Sequence, residues 1–75
     1  MITMAENLLE ECRLHAAEAE EQVRAQSQRI AELRSAGEDT EEAERLLRSL
    51  EQMAALLRDR VAWEESCASA AATVR

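Results

Sequence analysis

Cys12, His15 and Cys67 are the residues of this chain whose side chains could together bind a metal ion. Cys12 and His15 are three residues apart, a spacing that puts both on one face of a helix. If the chain folds back on itself, Cys67 comes close to them, and Glu11 or Glu64 could add a carboxylate. Tetrahedral zinc accepts thiolate, imidazole and carboxylate ligands. The sequence thus raises the hypothesis of a small metal-binding bundle.

A structural role explains the same residues more simply. Free Cys is among the most buried residue types, and a disulfide between Cys12 and Cys67 is disfavoured in a chain without an export signal. Di-iron bundles use Glu-x-x-His pairs, whereas Glu11 and His15 are spaced by four. One His, no Tyr and one Gly leave nowhere to build a catalytic pocket. We therefore expect no catalytic residue, no bound metal and no cofactor.

Composition excludes two further classes of partner. The net charge is −7 and all nine basic residues are Arg. Nucleic-acid binders carry clustered positive charge, and anionic membranes also attract basic surfaces, so neither is an expected partner. The first residues lack a basic segment followed by an apolar run, and no stretch reaches the ~18 apolar residues of a membrane span. We expect a cytoplasmic protein.

The elements that must position these residues are two long helices. The chain has no Pro and a single Gly, Gly37, which divides it into halves. Gly37 suits the left-handed position that ends a helix. Thr3 and Glu6 have the spacing of a capping box, and Asp39 or Thr40, supported by Glu42, suits the start of a second helix. The predicted elements are a helix over about 4–36, a turn over 37–39 and a helix over about 40–73.

Apolar residues recur at alternating steps of three and four in both halves, which is the heptad pattern of a helical seam. The first seam comprises Ile2, Ala5, Leu9, Cys12, Ala16, Ala19, Val23, Gln26, Ile30 and Leu33. The second comprises Ala43, Leu47, Leu50, Ala54, Leu57, Val61, Glu64, Ala68 and Ala71. A short turn makes the helices antiparallel. The predicted fold is an all-α, coiled-coil-like, antiparallel two-helix hairpin.

The second half carries another apolar stripe beside its seam, interrupted by Arg60. One partner helix cannot cover two faces, and 15 of the 35 apolar residues are Ala, so the core is thin. We therefore expect two hairpins to dimerise into a four-helix bundle through the end of the hairpin remote from the turn. The stripe also includes Leu46, near the turn. The predicted interface residues are Met4, Leu8, Met53, Leu56, Trp63 and Cys67.

Charged residues are predicted to pair along each helix. Glu20 with Arg24, Glu41 with Arg45 and Glu44 with Arg48 have the favourable i,i+4 order. A block of six acids between residues 6 and 21 is offset by Arg13 alone. Such a block usually solubilises a helix, but it could also serve as a recognition surface.

Three short motifs surround the predicted turn, over roughly residues 24 to 61. They are Gln28-Arg29-Ile30-Ala31-Glu32-Leu33, Gly37-Glu38-Asp39-Thr40, and Ala43-Glu44-Arg45-Leu46-Leu47 followed by Leu50. This part of the chain resembles short, uncharacterised bacterial helical-hairpin proteins with a Gly-x-Asp-Thr turn and an Ala-x-x-Leu-Leu second helix. The resemblance implies a stand-alone hairpin and transfers no activity.

These observations favour a non-enzymatic, self-associating helical-hairpin adaptor or protein-interaction module. Its expected partners are a second copy of the chain and, beyond that, another helical protein. An acidic inhibitor or nucleic-acid mimic that occupies a basic groove is the alternative, and the metal-binding bundle is the third hypothesis.

The metal hypothesis has a direct test. We expect protein purified without added ions to contain no stoichiometric zinc or iron, and two thiols to react with a thiol reagent after unfolding, because both cysteines fit a structural role. Elemental analysis measures the first and absorbance titration the second. Stoichiometric metal that is lost in Cys12→Ser or His15→Ala protein would contradict this expectation.

Overall fold

The chain forms two antiparallel helices joined by a short turn. The computed structural model describes the backbone of residues 4 to 73 and the side chains of residues 7 to 70. Helix α1 spans Met4–Ser35 and helix α2 spans Glu41–Thr73. The molecule measures 61 × 20 × 12 Å, and its radius of gyration is 17.2 Å. A compact globule of this length would have a radius of gyration of about 11 Å, so the hairpin is a single elongated layer.

Helix α1 ends in a Schellman motif, one residue before the predicted end. The Glu38 N–H donates to the Leu33 carbonyl at 2.9 Å, and the Gly37 N–H donates to the Arg34 carbonyl at 3.0 Å. Gly37 has a φ of 73°, in the left-handed region that glycine occupies without strain. The glycine therefore both ends α1 and reverses the chain.

Helix α2 begins at an N-cap that the sequence predicted in part. The Thr40 carbonyl accepts the first helical hydrogen bond from the Glu44 N–H at 2.8 Å, and the Asp39 carboxylate accepts from the Glu41 N–H at 3.1 Å. The expected support from Glu42 is replaced by Glu44, to whose carboxylate the Thr40 hydroxyl donates at 3.3 Å. Glu44 lies toward α1, where Arg34 also binds it. The capping box predicted at Thr3 lies outside the described residues.

The predicted seams form the interface between the helices. Every seam residue from 9 to 68 is buried or half-buried, and the other side chains of α1 and α2 between residues 7 and 70 are exposed, apart from Glu44. Cys12, Ala19, Ile30 and Ala54 are the buried members. The heptad prediction is confirmed. The core is therefore one seam wide. Three of its four buried side chains are small, which lets the two helix backbones approach each other closely.

The two polar residues of the seams each have a partner. The Gln26 amide donates to the Ala43 carbonyl at 2.9 Å, which is a hydrogen bond from α1 to the first turn of α2. The Glu64 carboxylate lies 3.5 Å from the Arg60 guanidinium one turn earlier. Satisfying these groups removes the penalty of placing them beside an apolar core.

The left-handed conformation of Gly37 generates a stability prediction. A Cβ at this position would meet nothing within 4 Å, so the cost of Gly37→Ala comes from the backbone alone. We expect the free energy of unfolding to fall by about 1 to 2 kcal/mol. Gly37→Asn should lose less, because Asn tolerates this region better. Denaturant unfolding at one fixed protein concentration compares the variants. Equal stability of Gly37→Ala and the parent chain would contradict the Schellman assignment.

Candidate interaction surface

A hairpin one layer thick has two flat faces, one on each side of its seam. In heptad notation the seam residues are a and d, the e positions flank it on one face and the g positions on the other. The c positions lie beside g, farther from the seam. Because each face is built from a different set of positions, the two faces can carry different chemistry.

Ion pairs between the helices bridge the e face. Arg13 lies 3.1 Å from Glu65, and Arg58 lies 3.6 Å from Glu20. A third pair joins Arg34 to Glu44 nearer the turn. In all three pairs the residue numbers sum to 78, so the same antiparallel register holds along the hairpin. We name these six residues the salt-bridge face.

The salt-bridge face specifies register more than it adds stability. Its side chains are largely exposed, and exposed pairs contribute about 0 to 1 kcal/mol each. A slip of one heptad in one direction would set Arg13 against Arg58, and a slip in the other would set Glu20 against Glu65. Like charges directly opposite each other are destabilising. The alternating signs therefore favour one alignment of the two seams.

Pairing within each helix follows the sequence prediction only in part. Glu41 and Arg45 form the expected i,i+4 pair at 3.0 Å. Glu20 and Glu44 instead bind arginines of the opposite helix, because their e positions point across the seam. Arg24 pairs with Glu21, and this hydrogen bond and charge raise the pKa of Arg24, which stays fully protonated.

The g face has a different composition, and we name it the open face. Among residues 7 to 70 no ion pair joins the two helices there. Its g positions are Leu8, His15, Gln22 and Arg29 on α1, and Leu46, Met53, Arg60 and Cys67 on α2. The c positions beside them, which we name the outer rows, include Leu56 and Trp63 on α2 and Glu11 and Glu18 on α1.

Large apolar side chains are concentrated on the open face. Trp63 is 68% exposed and Leu56 is 70% exposed, while Met53 and Leu46 are each about half exposed. Of the six exposed large hydrophobic side chains in the described chain, five lie on this face, and Leu14 is the exception. Isolated exposed leucines are ordinary, but five large exposed apolar side chains on one face make this face the candidate interaction surface.

A groove runs between the helices on the open face. One cavity of about 300 Å³ is lined by His15, Glu18, Ala19, Gln22, Met53 and Leu57. A second of about 210 Å³ is lined by Leu8, Glu11, Cys12, His15, Leu57 and Arg60. His15 and Leu57 line both, so the cavities form one continuous depression. Its α2 side is mainly apolar, whereas its α1 side carries two carboxylates.

The structure places five of the six predicted interface residues on one side of the hairpin. Leu8 and Met53 line the groove, and Leu56 and Trp63 form the outer row of α2. Cys67 is exposed at the g position level with Leu8. The side chain of Met4 lies outside the described residues. The predicted patch lies at the end remote from the turn, yet half-exposed Leu46 extends the same face toward the turn.

Arg60 interrupts the apolar stripe of the open face, just as Glu64 interrupts the seam of α2. The two side chains form an i,i+4 pair at 3.5 Å, and the Glu64 side chain is 17% exposed. Together they neutralise each other, so the middle of the stripe presents no net charge to a partner.

The residues of the metal hypothesis have different environments. Cys12 is buried in the seam, whereas Cys67 is exposed on the open face, and both are free thiols. His15 is exposed in the groove. Among the side chains of residues 7 to 70, no three that could ligate a metal are grouped together.

Comparison of the chain with protein-family models, with characterised proteins and with solved structures finds no match. Over the described residues, neither helix combines the length and the apolar character needed to cross a lipid bilayer. The candidate site is therefore defined by its own geometry, as an apolar stripe on α2 beside a polar α1 edge, opposite a salt-bridge face.

The register of the salt-bridge face predicts a fourth pair. Ser27 is the e residue that faces Glu51, since their numbers also sum to 78, and both side chains are exposed. Ser27→Arg should stabilise the hairpin by about 0.2 to 1 kcal/mol at low salt, through attraction to the Glu51 carboxylate. Denaturant unfolding at low and at 1 M salt measures the gain, and high salt should remove its charge-dependent part.

The control for this prediction is the same substitution in a Glu51→Gln chain. Arg is also a better helix former than Ser, so only the difference between the two backgrounds reports the ion pair. An equal gain with and without the Glu51 carboxylate would show that residues 27 and 51 do not face each other.

Proposed function

We propose that this chain is a non-enzymatic protein-interaction module that self-associates through its open face, forming a four-helix bundle from two hairpins. The observation that carries the proposal is the contrast between the two faces of one thin layer. One face is bridged by three ion pairs between the helices, and the other exposes Met53, Leu56 and Trp63 together.

The energetics of a one-seam hairpin support association. A single seam buries few large side chains, and chains of this size usually need a further stabilising device. Stacking two open faces would add a second apolar layer without disturbing the first. Trp63 is the natural anchor, because an aromatic side chain buries about 150 to 250 Å² and aromatic residues dominate interface energetics.

We also propose that the protein is not an enzyme and that it is cytoplasmic. The groove is shallow and shared between apolar side chains and a few exposed polar groups, which favours helix packing over catalysis. A cytoplasmic location has its support in the sequence alone. The likeness to bacterial hairpin proteins over residues 24 to 61 likewise stays a prediction.

The alternative of an acidic decoy has less support from the side-chain contacts. Glu20 is bound to Arg58 and Glu21 to Arg24, so two acids of the block are already neutralised. The exposed Glu11 and Glu18 share the outer row of α1, whereas Glu10 lies at a b position about 100° around the helix, so these three acids do not form one broad acidic face. Apolar helix packing therefore accounts better for the open face.

Truncating the central aromatic residue tests the proposal. Trp63→Ala should weaken self-association by about 2 to 4 kcal/mol, which is roughly 30- to 1,000-fold in Kd, because the anchor of the interface is lost. Leu56→Ala should weaken it to a smaller extent. Sedimentation equilibrium over a dilution series measures the dissociation constants. The matched control for Leu56→Ala is Leu14→Ala. This variant removes an exposed leucine from the outer surface of α1, away from the open face.

Salt provides the second arm of this test. Association through apolar packing should persist in 1 M salt, whereas an acidic decoy would lose its partner steeply as ionic strength rises. A monomeric parent chain at micromolar concentration would overturn the proposal. So would an equal effect of Trp63→Ala and Leu14→Ala, with indole fluorescence typical of a solvent-exposed ring.

A further inference from the structure

We propose that helix α2 of a second copy occupies the open face, packed antiparallel against α2 of the first copy about a two-fold axis beside Arg60. This inference rests on the self-association proposed above and adds its geometry. Three features carry it: the acidic outer row of α1, the compensated charge at Arg60, and the cluster of acids at the turn.

The outer rows decide which helix of the second copy makes the contact. On α2 the outer row offers Leu56 and Trp63, whereas on α1 it offers Glu11 and Glu18 at the edge of the groove. Packing α2 against α1 of the second copy would press these carboxylates onto apolar side chains, where an unpaired charge is costly. Packing α2 against α2 leaves both acidic rows in water.

Charge at the centre of the stripe favours the antiparallel direction. The exposed stripe from Met53 to Cys67 has its midpoint at Arg60, and Glu64 lies one turn to one side. A two-fold axis at residue 60 sets the two arginines opposite each other and places one Glu64 carboxylate on each side of them, so that each arginine keeps its own carboxylate and the two carboxylates lie apart. A parallel pair would set both carboxylates side by side. Antiparallel packing also opposes the two helix dipoles.

Repulsion between the acids at the turn also favours the antiparallel direction. Residues 38 to 44 carry five acids, of which Glu44 is bound to Arg34 and Glu41 to Arg45. Parallel copies would bring both turns together. In the antiparallel pair the turns lie roughly 60 Å apart at 1.5 Å per residue, well beyond the Debye length of about 8 Å at physiological salt.

The same axis fixes which side chains meet. Residues seven positions to either side of Arg60 become level across the interface, so Met53 of one copy meets Cys67 of the other. Leu56 of one copy lies near Trp63 of the other. Each large side chain at one end of the stripe therefore has a defined neighbour, and the stripe is complementary to itself.

Disulfide cross-linking tests this geometry in the full chain. All variants carry Cys12→Ala, so that the buried thiol takes no part. Oxidation of Met53→Cys protein that retains Cys67 should give a covalent dimer, because those two positions meet across the axis. The matched control, Met53→Cys with Cys67→Ser, should stay unlinked, since its two thiols lie about 21 Å apart. Non-reducing electrophoresis separates the products.

Each other outcome has a distinct meaning. Cross-linking of the control, or of a Cys12→Ala chain through Cys67 alone, would overturn the antiparallel direction. No cross-link in a chain that sedimentation shows to be a dimer would overturn the contact between α2 helices and leave the proposed function standing. A monomeric Cys12→Ala chain alongside a monomeric parent would instead overturn the proposed function itself.

Discussion

A two-helix hairpin can bury only the residues that lie between its helices, and this geometric constraint governs the whole structure. The seam therefore takes all the a and d positions, and Cys12, Ala19, Ile30 and Ala54 are its buried members. Small residues in three of these places let the helices approach closely. Every other side chain must belong to one of two faces or to the outer surface. The chemistry of those faces decides what the hairpin can do.

Charge and apolar surface divide these roles between the faces. The salt-bridge face uses alternating signs at Arg13, Glu20 and Arg34 to align α1 with α2. The open face leaves Met53 and Trp63 exposed and compensates its one central charge internally. The residues that align the two helices are thus separate from the residues of the proposed interface. Gln26, bonded to the Ala43 carbonyl, adds a directional tie near the turn.

The sequence predicted the local features well, because helix periodicity and the glycine turn depend on residues near one another. Gly37, Thr40 and the two seams are of this kind. Predictions that required the relation between helices were weaker. Glu20 was expected to bind Arg24 but binds Arg58, because its position beside the seam points at the opposite helix. The contrast between the faces was missed for the same reason, although extending the antiparallel register to charged residues would have indicated it.

The split between e and g positions has a consequence for how such a hairpin could change over time. Substitutions at Met53, Leu56 or Trp63 alter the surface offered to a partner while leaving Arg13, Glu20 and Arg58 to hold the two helices in register. Additivity is expected between sites that share no contacts. The apolar surface of the open face can therefore change from sequence to sequence while the hairpin keeps its fold. In a scaffold of this kind the open face tolerates substitution, whereas the salt-bridge face is constrained by the alignment of the two helices.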